Sequence, residues 1–256
     1  MKVGFPYGLL LLLLGLILAV LVVFALGQGA YPLSGTEVLR ALAAGFGNDP
    51  EAGQNQAVRV VWDLRLPRIA AALLVGAALS TAGAAYQTMF RNPLVSPDIL
   101  GVSSGAGLGA ILASYLNFSL FGVQMAAFVG GLLAVGIVLS LARMLRHHPP
   151  ILILVLAGMA VGTLLGAALS LIKILADPYS QLPSMTFWLL GGLSAVRSYE
   201  VWPAAMMVLA CIVPVWLLRW RINVLALQDE EARSLGMPVS ALRCLLIVCA
   251  TLMTAV

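Results

Sequence analysis

The run ILGVSSGAGLGAILASYLNFSLFGVQMAAFVGGLLAVGIVLSLA, residues 99–142, contains no Asp, Glu, Lys, Arg or His. Drawn as one α-helix at 1.5 Å per residue it would be about 66 Å long, roughly twice the hydrocarbon thickness of a bilayer. It therefore reads as two membrane spans. The break falls at Asn117-Phe118-Ser119, the most polar and turn-like point of the run.

Similar runs lie on either side. No charge separates Lys2 from Glu37, and residues 9–26 are almost unbroken hydrocarbon. Residues 69–90, 151–172 and 201–218 form further apolar stretches, each near the roughly 20 residues a crossing helix needs. A last apolar piece opens near Leu242 and reaches Val256, too short to cross, so the sequence is expected to stop within a span. Lys2 followed by an apolar stretch also fits a signal peptide, but the stretch exceeds the usual 7–15-residue apolar core of such a leader. Composition agrees with spans: 62% of the residues are hydrophobic and 9% are charged. The mean hydropathy is +1.04. A soluble domain carries about a quarter charged residues, so lipid must be the main solvent here. The expected fold is all-α, a polytopic transmembrane helical bundle forming a single domain over residues 1–256.

Orientation follows from the basic residues. Counting spans groups Lys2, Arg91, Arg143, Arg146, Arg219, Arg221, Arg233 and Arg243 on one side, and Arg40, Arg59, Arg65, Arg68, Lys173 and Arg197 on the other. The short loop from Arg143 to His148 has two arginines and no acid, which marks it as cytoplasmic. The N-terminus is then cytoplasmic. Residues 27–66 form an outer loop, in which Ser34 or Thr36 can cap a short surface helix. Residues 45–56 read as irregular loop. Residues 181–195 hold about 12 apolar positions, too few to span, and read as re-entrant or interfacial, with Trp188 suited to headgroup depth.

Several motifs tempt a catalytic reading. Gly101-Val-Ser-Ser-Gly105 matches G-x-S-x-G, but it opens a membrane helix instead of joining a strand to a helix. The two histidines, His147 and His148, sit together in a basic loop with no further metal donors beside them. No G-x-x-x-x-G-K-[ST] occurs, so no nucleotide loop of that kind is encoded. Cys211, Cys244 and Cys249 lie in apolar segments without ligand spacing. Every charge falls at a span edge or in a loop, which counts against a proton-coupled carrier or a charged-ring channel. Gly158, Gly162, Gly166 and Ser170 recur every four residues and share one helix face. That face either packs tightly against a neighbour or lines a pathway.

Residues 220–240 form an unusual inner loop. It has amphipathic helical character over about 20 residues, an acidic trio (Asp229, Glu230, Glu231), and stop signals at Gly236 and Pro238. Its apolar content is high for a connector and suggests a docking surface for a soluble protein.

From Pro32 onward the chain resembles the FecCD family of ABC-transporter permeases, which import iron–siderophores, haem and vitamin B12. The resemblance is densest in RLPRIAAALLVGAALSTAG at residues 65–83 and QTMFRNPLVSPDILGVSSGAG at residues 87–107. It continues in FWLLGGL at residues 187–193 and in residues 225–236. It implies the type II importer permease fold, with more spans than the six or seven read here, so the chain resembles a truncated member. It also implies an inner-membrane homodimer that works with a separate ATP-hydrolysing subunit and a periplasmic substrate-binding protein. No cofactor is expected on this chain, since ATP and Mg2+ belong to the ATPase, and nucleic acid is not an expected partner. The ATPase-coupling role falls on Asp229, Glu230, Glu231, Ala232, Arg233, Ser234, Leu235 and Gly236. Pairing with acids of the binding protein falls on Arg65 and Arg68, and the central pathway on the glycine-striped span. A carrier without an ATPase and an intramembrane hydrolase resting on Ser103 are the competing classes.

Overall fold

The computed structural model describes residues 6–46, 55–145 and 150–255. Lys2, Arg146, His147, His148 and most of the loop expected at residues 45–56 lie outside the described residues. The described chain is helical: α1 (Tyr7–Gly27), α2 (Gly35–Phe46), α3 (Gln56–Arg59), a π-helical turn (Val60–Arg65) and α4 (Leu66–Phe90) come first. Then follow α5 (Val102–Tyr115), α6 (Leu120–Met144), α7 (Pro150–Leu175), α8 (Gln181–Leu190), α9 (Ser198–Leu217), α10 (Arg219–Val224), α11 (Asp229–Ser234) and α12 (Val239–Thr254). Among the described residues, five helices are long and apolar enough to cross a membrane: Tyr7–Gly27, Gln56–Phe90, Leu120–Met144, Leu152–Leu175 and Ser198–Leu217. The chain divides into two compact units, Met1–Leu73 with Leu193–Trp202, and Leu74–Gly192 with Pro203–Val256.

In the first unit, α1 has a mean hydropathy of 3.4 over its best window and buries only Leu26. Its other leucines face outward, as lipid-facing side chains do. The short surface helix expected in the outer loop is α2. Its start is a capping box: the Glu37 amide donates to Ser34 Oγ, and Glu37 Oε2 accepts from the Ser34 amide at 2.7 Å. Val38 and Ala41, three residues apart, turn inward against Leu26, Leu33, Val58 and Val61. Complete burial of a side chain such as Val38 contributes roughly 1.5–3 kcal/mol.

The second long helix starts earlier than its charge pattern indicates. α3, the π turn and α4 run unbroken as Gln56–Phe90 over 35 residues, so Arg59, Asp63, Arg65 and Arg68 are helical, not loop residues. Pro67 lacks an N–H and crowds the preceding turn. The π turn immediately before it, where the Leu66 amide donates to the Val61 carbonyl, accommodates that defect.

In the second unit, the 99–142 run breaks where expected. Asn117 takes a left-handed φ of 58°, and Ser119 caps α6 by accepting from the Gly122 amide at 3.3 Å. The first half of the run is not a full span, however. α5 has 14 residues, about 21 Å of helix, because Pro93, Pro97 and a left-handed Gly101 (φ 71°) keep residues 92–101 in turns. α5 and α6 then pack backbone on backbone. A Cβ on Gly105 would fall 2.5 Å from the Gly130 carbonyl oxygen, and one on Gly109 would fall 2.1 Å from that of Ala126. Small residues at four-residue spacing permit this approach. The segment expected to be re-entrant or interfacial is the short α8. Its Trp188 is half-buried and packs on the cluster around Ala106, Ala110 and Phe128. α12 runs for 16 residues from Val239, three residues before the start read from the sequence.

Candidate docking loop and pathway face

The 220–240 loop folds as two short helices, α10 and α11, not as one 20-residue amphipathic helix. The chain turns at Leu225–Gln228 because Gln228 takes an extended conformation that starts α11 afresh. Leu225 and Ala232 are buried and seat the loop on the helical core. α11 ends in a Schellman turn: Gly236 (φ 75°) donates to the Arg233 carbonyl, and Met237 donates to that of Ala232. Gly236 therefore supplies the stop expected of it.

The acidic trio divides by role. Asp229 accepts three charged hydrogen bonds, two from Arg243 on α12 and one from Arg91 at the end of α4, each at 2.7 Å. Hydrogen bonding from Arg243 holds the Asp229 carboxyl below its usual range, its charge and then Arg91 adding to the effect against a partial desolvation. Glu231 accepts from the Gln228 amide at 3.2 Å and fixes the first turn of α11. Glu230 is exposed and has no hydrogen-bond or ion-pair partner among the described residues. With Leu227, Arg233 and Leu235, also exposed, it forms the outward surface of the loop. Ser234 is exposed too, but its hydroxyl donates to the Glu231 carbonyl. At the base of the loop, Arg219 stacks 4.4 Å over the exposed Trp216, an aromatic–basic pair typical of a membrane interface.

In the sequence Arg91 marks topology and stands within the string at residues 87–107. It occupies the left-handed C′ position of a second Schellman turn, with φ 52°, where glycine is usual. Its Nε also donates to the Leu225 carbonyl at 3.1 Å. The left-handed conformation costs a residue with a Cβ about 1–2 kcal/mol. What Arg91 supplies there is its side chain. The sequence signal was a basic residue just before Asn-Pro, where a helix must end.

The glycine stripe of α7 serves two purposes along its length. A Cβ on Gly158 would fall 2.0 Å from the Ile99 carbonyl oxygen, so this position exists for packing. Gly162 faces Ser104 Oγ and Gly101 at ordinary contact distance. Around the Cβ position of Gly166 nothing lies within 4 Å, and Ser170 is exposed, its hydroxyl turned back to the Gly166 carbonyl at 2.9 Å. The stripe thus packs at its first end and stands open at its second. Ser103 lies beside the packed end, where its amide donates to Asp98 Oδ1 at 2.9 Å and so caps α5.

In the first unit, Arg65 and Arg68 differ sharply. Arg65 is buried, and its guanidinium donates to the carbonyls of Leu26 and Tyr31, tying the end of α1 and the following turn to the π turn. Arg68 is half-buried, with a buried Nε that has no hydrogen-bond partner among the described residues. The expected docking pair is therefore unequal, since Arg65 is committed within its own unit.

The long apolar helices define a multi-pass helical membrane protein, with the 220–240 loop tied to α4 and α12. The chain is a member of the FecCD transport family, whose pattern it matches over residues 17–256. It is 35% identical over 244 residues to the molybdate import system permease protein MolB of Haemophilus influenzae, covering 94% of this chain and 71% of that one. It is 41% identical over 197 residues to a protein of Helicobacter pylori named "Probable iron chelatin transport system permease protein" (77% and 59% covered). With the vitamin B12 import system permease protein BtuC of Salmonella paratyphi A it shares 38% over 194 residues (73% and 57%). A solved structure described as "An inward-facing conformation of a putative metal-chelate type ABC transporter" superposes with a TM-score of 0.79 at 33% identity, covering 98% of this chain and 74% of that one. The chain thus spans between 57% and 71% of the length of these relatives.

Proposed function

We propose that this chain is the transmembrane permease subunit of an ATP-binding-cassette importer that moves an iron–siderophore or related metal chelate across the inner membrane by alternating access. It has no catalytic role: ATP and Mg2+ are held by a separate ATPase, and a periplasmic binding protein delivers the substrate to a homodimer. The N-terminus and the 220–240 loop face the cytoplasm, and residues 27–66 face the periplasm.

The observation that carries this reading is the division of labour in α11. Asp229 is tied to Arg243 and Arg91 and Glu231 folds back on the Gln228 amide, whereas Leu227, Glu230, Arg233 and Leu235 are exposed, with no side-chain hydrogen bond or ion pair among the described residues. A loop anchored this firmly, with an apolar and charged outer surface, suits a rigid seat for a soluble partner. The absence of Asp, Glu, Lys and Arg from the middle of the apolar runs favours an external energy source over an ion-coupled carrier. The metal-chelate assignment rests on the iron-chelatin permease and the metal-chelate transporter. Haem, vitamin B12 and molybdate are the alternative cargoes, the last two favoured by BtuC and MolB. For the binding protein, Arg68 is the docking cation of choice, with Arg65 holding the surrounding turn in place.

The test is Glu230→Lys in the full-length protein, assembled with its ATPase in vesicles. Loss of ATPase co-purification and of ATP-dependent chelate uptake is the expected result. Undiminished uptake, also after Glu231→Lys, would defeat the coupling assignment.

A further inference from the structure

We propose that Asp229 is the joint through which the docking loop moves the 92–101 segment and α7, with Arg91 as the positioning residue that carries the motion. This rests on the reading of residues 229–236 as the seat of the ATPase. Three observations in the second unit converge on it.

Asp229 is the first residue of α11, and its carboxylate is bonded to two other elements at once, by Arg91 from α4 and Arg243 from α12. Paired charge-assisted bonds of this geometry resist both stretching and rotation. Arg91 in turn grips the loop twice, at Asp229 and at the Leu225 carbonyl, so a displacement of α11 acts on the Arg91 backbone.

Arg91 is also the last residue before residues 92–101, which are held by turns and not by helix. The far end of that segment rests backbone on backbone against α7, with the Ile99 carbonyl over Gly158 and Gly101 over Gly162. Both contacts are backbone against backbone, with Ser104 Oγ beside Gly162 as the one side chain named there, so a shift of the segment is passed to α7 directly. The open end of the glycine stripe, Gly166 and Ser170, lies further along the same helix.

The left-handed backbone of Arg91 separates this role from a merely structural one. A glycine suits that φ better than arginine does, so Arg91→Gly removes the guanidinium while relieving the turn. The full-length permease, assembled with its ATPase and binding protein in proteoliposomes, is assayed for ATPase retention and for chelate taken up per ATP hydrolysed. Arg91→Gly is expected to retain the ATPase while uptake per ATP falls by about tenfold, within the usual range of coupling between sites. Arg91→Lys is expected to restore part of the ratio, because one ammonium cannot make both contacts. Asp229→Asn, which is isosteric, is expected to show a similar fall, and the double variant to be no worse than either single one. An unchanged ratio in Arg91→Gly with the ATPase still bound would overturn the joint and leave the docking seat standing. Failure of the wild-type permease to retain its ATPase would remove the seat, and the joint with it.

Discussion

The guanidinium of Arg91 meets the carboxylate of Asp229 at 2.7 Å, joining residues 138 positions apart in the chain. Arg243 completes the arrangement from the other side, so one carboxylate holds the end of α4, the start of α11 and the first turns of α12. The loop that faces the ATPase in our proposal is thereby fixed to two helices.

The pH response of this tie follows from its sign. Hydrogen bonding and charge from Arg243, then Arg91, lower the folded-state pKa of Asp229, so the contribution is present above the ordinary carboxylate value of 3.8. It is lost as pH falls through the folded value, below about pH 4. Amide hydrogen exchange of residues 229–234, corrected for the intrinsic rate, should therefore show unchanged protection between pH 5 and pH 8. A loosening centred near pH 6 would mean that another group governs the loop.

The glycine stripe gives a paired prediction. Gly158→Ala drives a Cβ into the Ile99 carbonyl and should destabilise the protein by about 1–3 kcal/mol. Gly166→Ala meets open space and gains up to about 1 kcal/mol of helix propensity. Thermal unfolding in detergent should place the two variants on opposite sides of the wild type. Equal tolerance at both positions would contradict the close packing at Gly158.

Arg65 is expected to behave as a structural residue. Arg65→Met leaves the Leu26 and Tyr31 carbonyls without their charged donor and should lower stability by roughly 3 kcal/mol. Arg68→Gln keeps those bonds and should lower affinity for the binding protein with a smaller loss of Tm. A wild-type Tm for Arg65→Met would show that its guanidinium is free to serve elsewhere.

The parts of this fold that can be read along the chain are those governed by short-range rules. Lipid excludes charge, so the runs of residues 9–26 and 151–172 announce their helices, and Ser34 and Asn117 mark a start and a break through local hydrogen bonding and turn chemistry. The double grip of Asp229 lies beyond such rules. Its partners come from 138 residues upstream and 14 residues downstream, and charges at span edges carry topology and contact in the same residues. The turns of residues 92–101 shorten α5 through backbone conformations that an uncharged run conceals. Likewise the π turn before Pro67 extends a helix that the charges of residues 59–68 disguise as loop.

The most direct measurement is chelate uptake into proteoliposomes holding the full-length permease, with and without its ATPase, at constant binding protein and ATP. Uptake that requires both the ATPase and ATP, and that is abolished by Glu230→Lys, is the predicted result. Uptake driven by an ion gradient with no ATPase present, or ATP hydrolysis by the purified permease alone, would contradict it.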